Sequence, residues 1–141
     1  MQSHGRDSLG KAAHRLRGHD QHHRADPRGG FCFSTREHGW PVSDCTAEAL
    51  SSILALHDEP ALAPRGDERI EDRWLLEAGR FLVSRQNDDG GFGTYERRRG
   101  GAWLEALNPS EMFGSCMTER SYIECTASCV GALSRLLRAA G

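Results

Sequence analysis

The chain has 141 residues, 38% of them hydrophobic and 27% charged, with a net charge of -2, as expected of a single domain that folds in water. That charge gives no electrostatic case for nucleic acid or an anionic lipid surface. No apolar run reaches the roughly 18 residues of a membrane-spanning helix, and the opening Met1 to Gly10 lacks the apolar core of a secretory signal.

Residues 1–28 differ from the rest. They hold five of the seven histidines and few large apolar side chains, too few to offset the entropy of ordering. A disordered or unmatched tail is expected, and a metal held by His19, His22 and His23 would be adventitious. The five cysteines, Cys32, Cys45, Cys116, Cys125 and Cys129, form no CxxC pair. Free thiols are expected, with Cys125 and Cys129 read as core residues and no metal or other cofactor implied.

Patterning begins at the Gly29-Gly30 turn. Pro41 suits the entry to a helix, and Ser43 or Asp44 is placed to cap one running to about His57, with Leu50, Ile53 and Leu54 as its apolar stripe. Residues 58–67 read as a loop. A second helix is expected from about Glu68 to Arg85, where Ile70, Trp74, Leu75, Ala78, Phe81 and Leu82 recur at helical spacing. Asn87 to Gly91 ends it, and 93–120 reads as a long loop. Ser121 and Glu124 fit a capping box opening a third helix, with Ile123, Val130, Leu133, Leu136 and Leu137 as its apolar residues.

The chain is thus expected to be all-α. It also repeats. Ser43-Asp44-Cys45-Thr46-Ala47 echoes Ile123-Glu124-Cys125-Thr126-Ala127, each at the start of an amphipathic helix. Gly30-Phe31 and Gly91-Phe92 precede the two. Such repetition signals a stacked helical array in which no unit buries its face alone. Three helices cannot close a ring, so this would be part of a larger architecture.

Gly29-Gly30-Phe31-Cys32-Phe33-Ser34-Thr35 and Gly39-Trp40-Pro41-Val42-Ser43-Asp44-Cys45-Thr46-Ala47-Glu48 resemble the active-site segment of oxidosqualene cyclases, the lanosterol and cycloartenol synthase type of terpene cyclase/mutase. So do Asp89 to Glu96, Arg99-Gly100-Gly101, Leu107 to Glu111 and Glu124-Cys125-Thr126. The likeness covers about residues 29–138. Phe81-Leu82-Val83, Gln86 and Gly90-Gly91-Phe92 look like one QW repeat, with Phe92 where Trp is more usual. The resemblance implies a fragment of an α/α toroid over 29–141, no cofactor, and isomerase chemistry on the lipid 2,3-oxidosqualene. It also implies, for a complete enzyme, attachment to the cytoplasmic face of a membrane, with the rest of the cyclase as this segment's partner.

The chemistry suits these residues. Opening an epoxide in an apolar cavity needs a carboxylic acid that keeps its proton yet can release it. Burial favours the protonated form, while a helix N-terminus and hydrogen-bond donors stabilise the anion left behind. The resemblance assigns that role to Asp44, with Cys45 and Cys125 hydrogen-bonding to it. Aromatic faces stabilise carbocations without trapping them. Phe33 matches a cavity aromatic, and Tyr95 a tyrosine acting in cation stabilisation or the final deprotonation. His38, Trp40 and Val42 lie in the substrate-facing segment. His38 is of the cycloartenol type and Val42 of the lanosterol type, so the product stays open. Trp40, with Trp74, Phe81, Phe92 and Trp103, also reads as packing.

Three alternatives accompany this reading. Squalene-hopene cyclases carry an Asp-x-Asp-Asp-Thr-Ala motif, whereas Val42 to Ala47 holds one carboxylate. A zinc protein prenyltransferase-like chain would need a histidine ligand near Asp44-Cys45. A truncated, non-catalytic helical remnant or binding module would share the helices and lack the reaction.

Overall fold

The computed structural model describes residues 26–34, 39–62, 69–111, 114 and 116–141. His38, the histidine cluster and nearly all of the expected tail lie outside them. The described residues form helix α1 (Ser43–Asp58), helix α2 (Asp72–Ser84), a 3-10 helix (Ala102–Leu107) and helix α3 (Ile123–Ala140). Among them there is no strand, only isolated antiparallel bridges. The chain is all-α, as the sequence leads one to expect. No described helix is long and apolar enough to cross a membrane.

The three α-helices share one core, and α1 and α3 form its most extensive pair. From α1 come Ala47, Leu50 and Leu54; from α2, Leu75, Ala78, Phe81 and Leu82. Helix α3 supplies Cys125, Cys129 and Ala132. Burying such a face, rather than intrinsic propensity, is what holds helices of this length. The second helix starts four residues later than its apolar pattern suggests, yet Ile70, ahead of it, still packs on the core.

Helix α3 departs from expectation. Its large apolar residues were the expected stripe, but Ile123 is 85% exposed and Leu137 73% exposed, with Val130 also in solvent. The buried face is the thiol and alanine side, because small side chains allow the backbones of α1 and α3 to approach closely. Leu133 and Leu136 alone of the expected set reach the core edge. Of the expected packing aromatics, Phe81 and Phe92 are buried, whereas Trp74 and Trp103 are exposed. Trp74 instead lies beneath the Arg73 guanidinium, 4.9 Å from its ring centroid, a cation–π arrangement open to water.

Neither expected cap forms. Val42 and Tyr122 occupy the N-cap positions without side-chain capping bonds. Ser43 donates its hydroxyl to the Gly93 carbonyl (2.6 Å). Ser121 lies one residue before the Tyr122 N-cap, and its hydroxyl donates to Asp89 Oδ1 (2.7 Å) and accepts from Asn87 Nδ2 (3.0 Å). The Ser121 bond, with the Gly91 amide, holds the Asp89 carboxyl below its ordinary value.

The sequence repeat is a structural repeat. The Phe31 amide donates to Thr46 Oγ1 (2.8 Å), and the Phe92 amide to Thr126 Oγ1 (3.0 Å). Val42 N donates to the Phe31 carbonyl (2.9 Å), and Tyr122 N to the Phe92 carbonyl (3.0 Å). Each Gly-Phe pair is thereby strapped across the entry of its helix. A side chain in place of the glycine would collide. A Cβ on Gly91 would fall 2.5 Å from Ser121 Cβ, and one on Gly30 2.6 Å from Pro41 Cβ.

Candidate active site

The site is built where the two helix entries meet the 93–96 segment. Ser43 N donates to the Thr94 carbonyl (2.8 Å). With the Ser43 hydroxyl bond this fixes the first turn of α1 against Gly93 and Thr94. Asp44 follows in that turn, half-buried, with Oδ1 accepting from the Cys45 amide (2.7 Å). The unpaired amides of a helix start and the aligned peptide dipoles favour negative charge here.

The structure brings Asp44, Cys45 and Cys125 together. The Cys45 thiol is pushed up by burial first, then by the charge of Asp44 and a hydrogen bond to it, with smaller contributions from Cys125 and Cys32. Cys125 is buried and also pushed up, mainly by burial, with the Asp44 charge adding to the rise. Thr94 opposes it, its hydroxyl lying 3.7 Å from Cys125 Sγ. Sequence reasoning passed over Thr94, although it stands inside the Asp89 to Glu96 segment and one residue before Tyr95.

Tyr95 and Trp40 meet edge to face, with centroids 6.2 Å apart and planes at 87°, a favourable aromatic geometry. Val42 is buried at the head of α1. Its carbonyl accepts both the Thr46 amide (3.0 Å) and the Thr46 hydroxyl (2.7 Å). Phe33 stands apart, 79% exposed. His38 lies outside the described residues. No group of three or more His, Cys, Asp or Glu side chains placed to hold a metal occurs among the described residues.

Cys129, one turn beyond Cys125, donates its thiol to the Ser43 carbonyl (3.8 Å). Burial pushes its pKa up to about 12 from the ordinary 9.0. An unfolded chain releases this proton near the ordinary value, and the folded chain only near the raised one. The thiol's contribution to stability is therefore complete below pH 9 and is lost as pH rises from there through about 12. Peptide-resolved alkylation at pH 8 should find Cys129 on the order of a hundredfold or more slower than a free thiol, because thiolate is the reactive form. A Cys129 rate matching that of the unfolded chain would contradict this placement.

No known family model matches the chain. Individual relatives do. The chain is 46% identical over 113 residues to a cycloartenol synthase of Dictyostelium discoideum, covering 80% of this chain and 15% of that protein. It is 46% identical over 115 residues to human lanosterol synthase, covering 82% and 15%. A terpene cyclase/mutase of Arthrinium sp is 40% identical over 111 residues, 79% of this chain and 15% of that protein. The matched region thus spans about 15% of the length of these relatives. An all-α segment with 40–46% identity to proteins of these names over about four fifths of its length belongs to the oxidosqualene cyclase family.

Proposed function

We propose that this segment supplies the initiating acid of an oxidosqualene cyclase, with Asp44 as proton donor to the epoxide of 2,3-oxidosqualene. One observation carries the reading. Cys45 and Cys125 stand at matching places in two repeated helix entries, and the Asp44 carboxyl at a helix N-terminus is hydrogen-bonded to the Cys45 thiol and near enough to Cys125 for its charge to act there, while the Cys125 thiol itself bonds to Thr94 and Ser43. In the reaction the Asp44 O–H bond breaks and its proton passes to the epoxide oxygen. The C–O bond opens as a substrate alkene attacks the carbon, and the positive charge moves into the growing ring system. Asp44 is left as a carboxylate, stabilised by the helix N-terminus and the Cys45 thiol. Tyr95, braced by Trp40, presents an aromatic ring suited to cationic intermediates or to the final deprotonation. Val42 is apolar lining at the head of α1, and the exposed Phe33 ring, which stands apart from Asp44 here, is a cavity aromatic once the remainder of a complete cyclase surrounds it. The exposed Ile123, Val130 and Leu137 are read as the face on which the remainder of a complete cyclase packs.

The test is a chimera. A cyclase whose own corresponding segment is replaced by residues 29–138 should convert 2,3-oxidosqualene to polycyclic alcohol, read by mass spectrometry, and leave squalene untouched. A soluble, folded chimera that turns over squalene, or neither substrate, would sink the proposal. A non-catalytic helical module is the second reading, favoured by the openness of Phe33 and of the Ile123 face; a folded but inactive chimera is its expected result.

A further inference from the structure

Glu119 was not among the residues that the sequence singled out. It is half-buried in the stretch between the 3-10 helix and α3. Its carboxylate Oε2 accepts the amide of Thr94 (2.7 Å) and the amide of Tyr95 (3.1 Å). Successive amides turned toward one anion form a concave nest that fixes the local backbone. The segment so held carries the Thr94 hydroxyl that meets Cys125 and the Tyr95 ring that meets Trp40.

Two features show that the surrounding chain is shaped to admit this carboxylate. Glu119 has φ 52, and among the described residues it alone enters the left-handed region without being glycine. Such a conformation persists where neighbours over-determine it, and the Asn87 side-chain amide donates to the Glu119 carbonyl (3.3 Å). Opposite stands Gly93, where a Cβ would lie 2.9 Å from Glu119 Oε2 and 3.0 Å from its carbonyl oxygen. Only a glycine leaves room for the approach. Burial raises the Glu119 carboxyl above its ordinary value, while the Tyr95 and Thr94 amides pull it back down. The amides therefore favour the ionised form, in which both carboxylate oxygens can only accept.

We propose that Glu119 is a positioning residue, which fixes the Thr94–Tyr95 backbone and through it sets the Thr94 hydroxyl at the Cys125 thiol and the Tyr95 ring beside Trp40. It does not touch the reacting atoms; it acts through its neighbours. The inference rests on the reading of Asp44, Cys45 and Cys125 as the acid site, but its test needs no turnover, so the two can fail separately.

Two variants of the full chain serve. Glu119→Gln keeps size and removes charge. Glu119→Gly removes the carboxylate and relieves the left-handed backbone, so a loss in it cannot be blamed on φ. In both, amide hydrogen exchange at Thr94 and Tyr95 should quicken on the order of tenfold. Alkylation of Cys125, read peptide by peptide, should rise about threefold as water reaches a thiol now shielded by burial. Cys129, one turn along the same helix, should keep its rate. Unchanged exchange, or faster exchange with an unchanged Cys125, overturns the proposal. So does a Cys129 rate rising in step with Cys125 in both variants, because Glu119 would then hold the fold and not the site.

Discussion

Asp44→Asn should lower turnover of 2,3-oxidosqualene by on the order of a thousandfold in a cyclase carrying this segment, within the range for loss of a general acid. That corresponds to about 4 kcal/mol of transition-state stabilisation. The asparagine amide has nearly the same shape, and its oxygen can still accept the Cys45 amide that Asp44 Oδ1 accepts. The first turn of α1 is held independently, by Ser43 on Gly93 and Thr94. The thermal midpoint should consequently stay within a few degrees of the parent, and the substrate KM should change little while kcat falls. Mass-spectrometric product rates with a parallel melting curve make the measurement. Turnover within about tenfold of the parent would exclude Asp44 as the acid, since general acid catalysis contributes more than that.

The fold and the site were legible in the sequence to different depths. Helix α1 was readable because Pro41, a polar entry residue and the Leu50, Ile53, Leu54 stripe all agree, and its bounds differ by one residue from expectation. Helix α3 was readable as a helix but not in its orientation. Periodicity ranks faces by side-chain size, and here close approach to α1 selects Cys125, Cys129 and Ala132 over Ile123, Val130 and Leu137. Capping patterns misled at Ser43 and Ser121 because the helix starts place Val42 and Tyr122 at the N-caps, while the serine hydroxyls are aimed at distant acceptors, the Gly93 carbonyl and Asp89. The same long-range bonds explain the site. Asp44, Cys45 and Cys125 could be named from a repeat and a family resemblance. Thr94 and Glu119 could not, because their roles arise from partners 31 and 25 residues away in the chain. A local pattern carries no trace of such pairings.

Phe92→Ala should destabilise the chain by about 3–5 kcal/mol, the usual cost of emptying an aromatic site in a packed core. The ring is 1% exposed and belongs to the cluster joining all three α-helices. The backbone of Phe92 is engaged on both sides, its amide on Thr126 Oγ1 and its carbonyl on the Tyr122 amide, and an alanine keeps both bonds. The loss therefore measures the ring alone. Phe33→Ala, removing the same ring from a site 79% exposed, should change stability by less than about 0.5 kcal/mol, as surface substitutions do. Urea unfolding of the two variants, with equal m-values confirming a common denatured state, should separate their midpoints widely. The buried ring anchors residue 92 in the core, two residues before Thr94, whose hydroxyl meets Cys125, so emptying that site loosens the chain leading to the thiol. Cys125 alkylation should therefore quicken in Phe92→Ala at urea concentrations that leave the parent folded, and equal urea midpoints for the two phenylalanine variants would place Phe92 outside the core.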